Sequence, residues 1–127
     1  MEYAIVVIML ALAQYLFFTM KTGLSRGKYG IDAPKCVGDE NFERIFRIQQ
    51  NTMEQLIVFI PALLTFSYYV SPVWGPVIGL IFIAGRFVYF NAYINEPAKR
   101  GPGMMMTLLA NAVLVPGTII GIIISMI

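Results

Sequence analysis

The sequence predicts an all-α integral membrane protein, built as a four-transmembrane-helix bundle. Three observations point there. Of the 127 residues, 58% are hydrophobic and 13% charged, whereas about a quarter of an ordinary soluble domain is charged. Mean hydropathy is +0.74, and the apolar residues gather into four long runs, at 3–20, 53–70, 73–93 and 104–127. Of the nine Lys and Arg residues, only Arg86 lies inside such a run. No repeat, low-complexity tract or linker divides the chain, so residues 1–127 are expected to form a single domain.

A hydrocarbon core about 30 Å thick takes roughly 20 apolar residues of helix. The first run satisfies this. A cleaved leader carries positive charge ahead of its apolar core, but here Glu2 comes first and the first basic residue is Lys21. The first run is therefore expected to stay as an anchor. The second run is short by itself and borrows the polar stretch FERIFRIQQNTMEQL, residues 42–56, as the start of its helix. Asp39 or Asn41 can cap that helix, and Glu40 and Glu43 suit its positive end. A helix over 41–70 would be about 45 Å long, so its first turns should stand in the headgroup region and cytosol.

The third run should stop at Pro97, which disfavours helical geometry at Glu96 and lacks a donor. Gly75, Gly79 and Gly85 along it permit close helix approach. In the fourth run, Met104–Met106 are packing residues and Asn111 is expected to hydrogen-bond another helix. Pro61 and Pro116 should bend their helices.

In a four-pass chain the loops after the first and third helices share a side. Lys21, Arg26, Lys28 and Lys35 fall in the first loop, Arg44 and Arg47 just after it, and Lys99 and Arg100 in the third. By the positive-inside rule that side is cytosolic and both termini lie outside the cytosol. The clustered basic face also suits anionic membrane lipids; no nucleic-acid partner is expected.

Absences narrow the chemistry. There is no histidine, hence no commonest general base or metal ligand, and no metal site is expected. The single cysteine, Cys36, cannot form an intrachain disulfide and reads as a surface thiol of unassigned role.

On the second helix, Arg44, Arg47, Asn51 and Glu54 share one narrow stripe, while Gln49 points nearly the opposite way. On the third, Arg86, Tyr89, Phe90 and Tyr93 follow i, i+3, i+4, i+7 spacing, and Arg100 stands in the loop beyond. Taken singly, these read as interfacial anchors, an aromatic belt and an Arg86–Glu54 structural pair. Taken together at one side of the membrane, they read as a binding site. Arginines favour carboxylates, Glu54 matches an ammonium, and tyrosines supply hydrogen bonds and flat apolar walls. The ligand expected is a small zwitterion with an excess carboxylate, taken from the cytosol.

The segments FERIFRIQQNTME, RFVYFNAYINEPAKRGPG and SRGKYGIDAP resemble the MAPEG family, membrane-associated proteins in eicosanoid and glutathione metabolism. The similarity covers nearly the whole chain. The QQNTME wording and EPAKR tail look most like the microsomal glutathione transferase type 3 branch and its bacterial relatives. The resemblance implies a homotrimer with glutathione, as co-substrate, bound between adjacent subunits at the cytosolic side. Family ligand contacts correspond here to Arg47, Asn51, Glu54, Tyr89, Tyr93 and Arg100, with Arg100 the candidate catalytic residue that activates the thiol. Gln49 matches a residue that reaches into the neighbouring subunit's site, in keeping with its opposite direction on the helix, and Arg26 is assigned a similar role. The leukotriene C4 synthase branch has a tyrosine after the motif's glutamate, where this chain has Gln55.

The function implied is a membrane-bound glutathione transferase or peroxidase, attacking lipophilic electrophiles or lipid hydroperoxides that enter sideways near Tyr89, Phe90 and Tyr93. A bacterial inner membrane, or otherwise the endoplasmic reticulum, would house it. The alternative is a non-catalytic lipid- or partner-binding protein of the same fold. A small multidrug transporter would need a membrane-embedded glutamate in the first helix, where this chain offers Gln14.

Overall fold

The computed structural model describes all 127 residues. It contains four α-helices: α1, Glu2–Tyr29; α2, Glu40–Tyr69; α3, Trp74–Asn95; and α4, Gly101–Met126. A single 3₁₀ turn, Pro97–Lys99, joins the last two. Three segments, α1, α3 and Pro97–Met126, are long and apolar enough to cross a membrane. α2 is not among them. It has 30 residues, but its polar first turns and the Glu54–Gln55 step dilute the apolar run.

α1 is longer than the sequence suggests. Lys21, Arg26 and Lys28 lie on its last turns, not in a loop, and only Lys35 remains in the connection. Charge does not break a helix, and no proline interrupts these turns. What ends α1 is Gly30, which takes the left-handed conformation (φ 69°) while its N–H bonds to the Arg26 carbonyl. Glycine adopts that conformation without steric penalty. The extended end of α1 lies beside the polar start of α2, with the Arg26 guanidinium 4.9 Å from the Phe42 ring.

α2 starts where its cap dictates: Asp39 Oδ1 accepts from the N–H groups of Asn41 and Phe42, at 2.9 and 3.2 Å. α3 stops as Pro97 requires, with Glu96 extended. Both α2 and α4 run on through their prolines as continuous helices. The apolar core lies away from the basic end, where Ala11, Phe59, Leu63, Phe82 and Leu114 are buried together. The Phe59 and Phe82 rings stack across α2 and α3 with centroids 3.9 Å apart. Large apolar side chains such as Leu16, Ile57, Leu80 and Ile124 are exposed on the outside, as a lipid-facing surface would have them.

Two buried amides donate across the helices. Gln14 donates to the Ile83 carbonyl at 2.9 Å, and Asn111 donates to Gln55 Oε1 at 3.2 Å, the interhelical role expected of it. The three glycines expected at close approaches are all found at helix contacts. A Cβ on Gly75, Gly79 or Gly85 would come within 2.4–2.7 Å of a side chain on another helix. One more such glycine, Gly103, lets the start of α4 lie directly on the α3 backbone at Tyr89.

Candidate functional site

The basic end of the bundle gathers most of the side chains singled out above. On α2, Arg47 and Glu54 are each about half exposed and face one another, Nη1 to Oε1 at 3.8 Å. They lie seven residues apart and so share one outer stripe. Arg44, on the same stripe, is already engaged: it pairs with Glu40 and donates to the Ile94 carbonyl at 3.3 Å. It ties α2 to the end of α3.

Asn51 departs from the expected outward stripe. It is buried, and its Oδ1 accepts from Arg86 Nη2 at 2.8 Å. Arg86 is wholly buried, and its pairing is not the ion pair with Glu54 considered from the sequence. Nη2 also donates to Thr52 Oγ1 (3.1 Å), Nη1 donates to Thr107 Oγ1 (3.3 Å), and the guanidinium lies 4.5 Å from the Tyr89 ring. Its Nε has no partner, and no carboxylate stands within ion-pair distance. One guanidinium thus joins α2, α3 and α4 through neutral acceptors alone.

Tyr89 is buried against this group, and its ring centroid is 5.5 Å from that of Tyr93, one turn further along α3. Tyr93 is half-buried, with the exposed Arg100 guanidinium 5.6 Å from its ring. Arg100 Nη1 donates to the Pro97 carbonyl at 2.9 Å, so the 3₁₀ turn itself orients this side chain. Arg47, Glu54, Asn51, Tyr89, Tyr93 and Arg100 therefore meet at one end of the bundle, on a base formed by Arg86.

Three expected members lie elsewhere. Gln49 faces the α1–α2 seam, with Nε2 3.4 Å from Thr19 Oγ1. Arg26 lies on the same seam, donating to the Lys35 carbonyl at 2.7 Å. Phe90 turns toward α1 and stacks on Phe18, with centroids 5.0 Å apart and planes 7° from parallel. At i+4 from Arg86 it falls on the far shoulder of the helix from Tyr89, close enough to α1 to pack there. Cys36 is exposed and free.

Thr52, Gly103 and Thr107 were not singled out in the sequence. Their signal was indirect. A buried guanidinium needs neutral or charged acceptors, and few side chains on the facing helices offer one. Gly103, a helical turn before Thr107, gave no chemical sign of its role.

Physically, this arrangement offers paired charges of both signs at the surface, tyrosine rings, and a second exposed guanidinium at the same end of the bundle. Comparison with known proteins places the chain in a family. A model of the MAPEG family matches residues 3–120. An uncharacterized protein of Synechocystis sp. is 36% identical over 113 residues, covering 89% of this chain and 82% of its own length. Microsomal glutathione S-transferase 2 of Bos taurus is 36% identical over 99 residues, 78% of this chain and 68% of that protein. The Homo sapiens protein of the same name is 35% identical over 99 residues, 78% and 67% of the two chains. With a family model spanning nearly its whole length and relatives at this level of identity, the chain belongs to the MAPEG family.

Proposed function

We propose that this protein is a membrane-bound glutathione transferase that spans the bilayer four times, works as a homotrimer and activates the glutathione thiol at its basic, cytosolic end. The observation that carries the reading is the half-exposed Arg47–Glu54 pair at the same end of the bundle as the Tyr93–Arg100 contact. An exposed ion pair contributes about 0–1 kcal/mol, so separating it for a ligand costs little. A ligand bearing two carboxylates and an ammonium would replace it with charge-assisted bonds, roughly twice as strong as neutral ones.

Arg47 holds a carboxylate and Glu54 the ammonium. Asn51 and the hydroxyls of Tyr89 and Tyr93 take the remaining polar groups. Arg100 stabilises the thiolate. A free thiol titrates near about 8.5, and lowering that by ~2 units takes about 2.7 kcal/mol of preferential stabilisation of the anion. A guanidinium held by a backbone carbonyl at the rim of a partly desolvated site can supply this. The sulfur then bonds to the electrophilic carbon of a lipophilic substrate, whose leaving group departs, and the thiol proton passes to solvent. With a lipid hydroperoxide, sulfur attacks oxygen instead, and a second glutathione completes the reduction to alcohol, water and disulfide.

The fourth span and the trimer share one support. At 1.5 Å per residue the 30 residues of α2 reach about 45 Å, enough to cross, and its polar stripe then faces protein instead of lipid. Gln49 and Arg26 lie apart from their own chain's cluster and are assigned to a neighbouring copy's site. The relatives named microsomal glutathione S-transferase support glutathione as the co-substrate.

The test is turnover of purified protein with glutathione and a generic aryl halide. Steady formation of the thioether is expected. Glutathione binding without turnover of either an electrophile or a lipid hydroperoxide would favour the non-catalytic binding protein, and loss of both would refute the proposal.

A further inference from the structure

We infer that Arg86 is a positioning residue for ligand binding: it locks the Asn51 carboxamide with its oxygen inward, so that the amide N–H₂ is presented to the ligand side. The inference rests on the glutathione-binding reading above.

The argument is one of donor and acceptor inventory. A guanidinium has five N–H donors and no acceptor. Arg86 Nη2 lies 2.8 Å from the Asn51 side chain, so only the carboxamide oxygen can face it. The reversed amide would set N–H₂ against N–H, donor against donor, at hydrogen-bond distance in a buried site. The orientation is therefore dictated by Arg86 and does not depend on which way the amide is drawn. Asn51 Nδ2, in turn, has no partner within the chain and is not among the enclosed unpaired atoms. Along α2, Asn51 lies between Arg47 and Glu54, the two residues of the exposed pair.

Arg86 itself is unavailable to a ligand. It is wholly buried, and both Nη atoms are engaged with Asn51, Thr52 and Thr107. It can influence binding only through what it holds. The shared Nη2 also fixes the start of the next turn of α2 through Thr52, which leaves the Asn51 side chain little freedom to swing out.

Side chains of differing hydrogen-bond polarity at position 86 test this. Arg86→Gln can both donate and accept, so Asn51 is free to flip. Glutathione affinity by calorimetry should fall about tenfold, roughly the loss of one hydrogen bond to a charged or polar ligand group, while saturated turnover falls much less. Arg86→Lys, whose ammonium only donates, should recover most of that loss, although it packs less well. A merely structural Arg86 predicts the opposite order or no difference, because affinity would then follow melting temperature. Asn51→Asp supplies the second arm. It gives Arg86 a carboxylate partner, so the protein should melt no lower than wild type, yet it offers the ligand an acceptor in place of a donor and should lose at least tenfold in affinity. Unchanged affinity in Arg86→Gln, or in a folded Asn51→Asp, would overturn the inference alone. Wild-type protein that takes up no glutathione would refute the functional reading and this inference with it.

Discussion

Replacing Gly103 by alanine is expected to damage the fold and the site together. The added Cβ would lie 2.4 Å from Tyr89 N, 2.6 Å from its Cα and 2.8 Å from its Cβ. Two of these atoms are backbone, so no rotamer change relieves the clash. Ordinary carbon contacts are about 3.5–4.0 Å, so α3 and α4 must part by about 1 Å at this point. Overpacking of this kind costs about 1–3 kcal/mol, and the better helix propensity of alanine returns at most about 1 kcal/mol. A net loss on the order of 1–2 kcal/mol follows, a fall of several degrees in melting temperature.

The shift also reaches the chemistry. The Gly103 carbonyl accepts from Thr107 Oγ1 at 3.1 Å, which is itself an acceptor for Arg86, and Arg100 stands three residues before Gly103. A displacement of about 1 Å in a positioning group can cost up to about 100-fold in rate, so turnover should drop tenfold or more. Gly101→Ala is the control, because nothing lies within 4 Å of its added Cβ and its effect should stay within about 0.5 kcal/mol. Thermal melts and turnover in the same detergent compare the two. Equal melting temperatures and equal rates for both variants would refute the close α3–α4 contact.

Arg100→Leu should keep much of the glutathione affinity and lose thiolate: ultraviolet difference titration should move the bound thiol from well below about 8.5 back toward that value, with partial rescue by Arg100→Lys. An unshifted titration would pass the role to Tyr93. Arg47→Ala and Glu54→Gln should each weaken glutathione binding more than tenfold by calorimetry; unchanged affinity in both would return the pair to a surface bridge of little worth. Mass measurement in detergent should give three copies, and a stable monomer or dimer would count against the shared site. A tag at Ile127 should be reached by reagents from outside the cytosol, and its protection would reverse the orientation drawn from the basic residues.

The outward half of the site was legible in the sequence because helical periodicity alone sets it. Seven residues return a helix to nearly the same face, and the Asp39 cap fixes where that count begins. Arg47 and Glu54 thus met at 3.8 Å, and Gln49 turned away to Thr19. The end of α3 was equally readable, because Pro97 imposes it by covalent geometry. The end of α1 was not. Lys21, Arg26 and Lys28 look like loop residues when charge is taken as a sign of irregular structure, whereas the stop is one glycine with positive φ.

The inward half could be read only by asking what each buried polar group must find. Arg86 in an apolar run demands acceptors from its neighbours. Asn51 answers that demand at the expense of its place on the outward stripe, since a side chain that caps a buried guanidinium cannot also swing freely into solvent. Periodicity counts positions around one helix and is blind to such obligations between helices. The same limit explains Phe90: the wheel places it near Tyr89 and Tyr93, but Phe18 on α1 offers a stacked aromatic contact that those tyrosines, engaged with Arg86 and Arg100, do not. The aromatic face of α3 is thereby divided. Tyr89 and Tyr93 belong to the charged end of the bundle, and Phe90 to the seam that holds α1 against it.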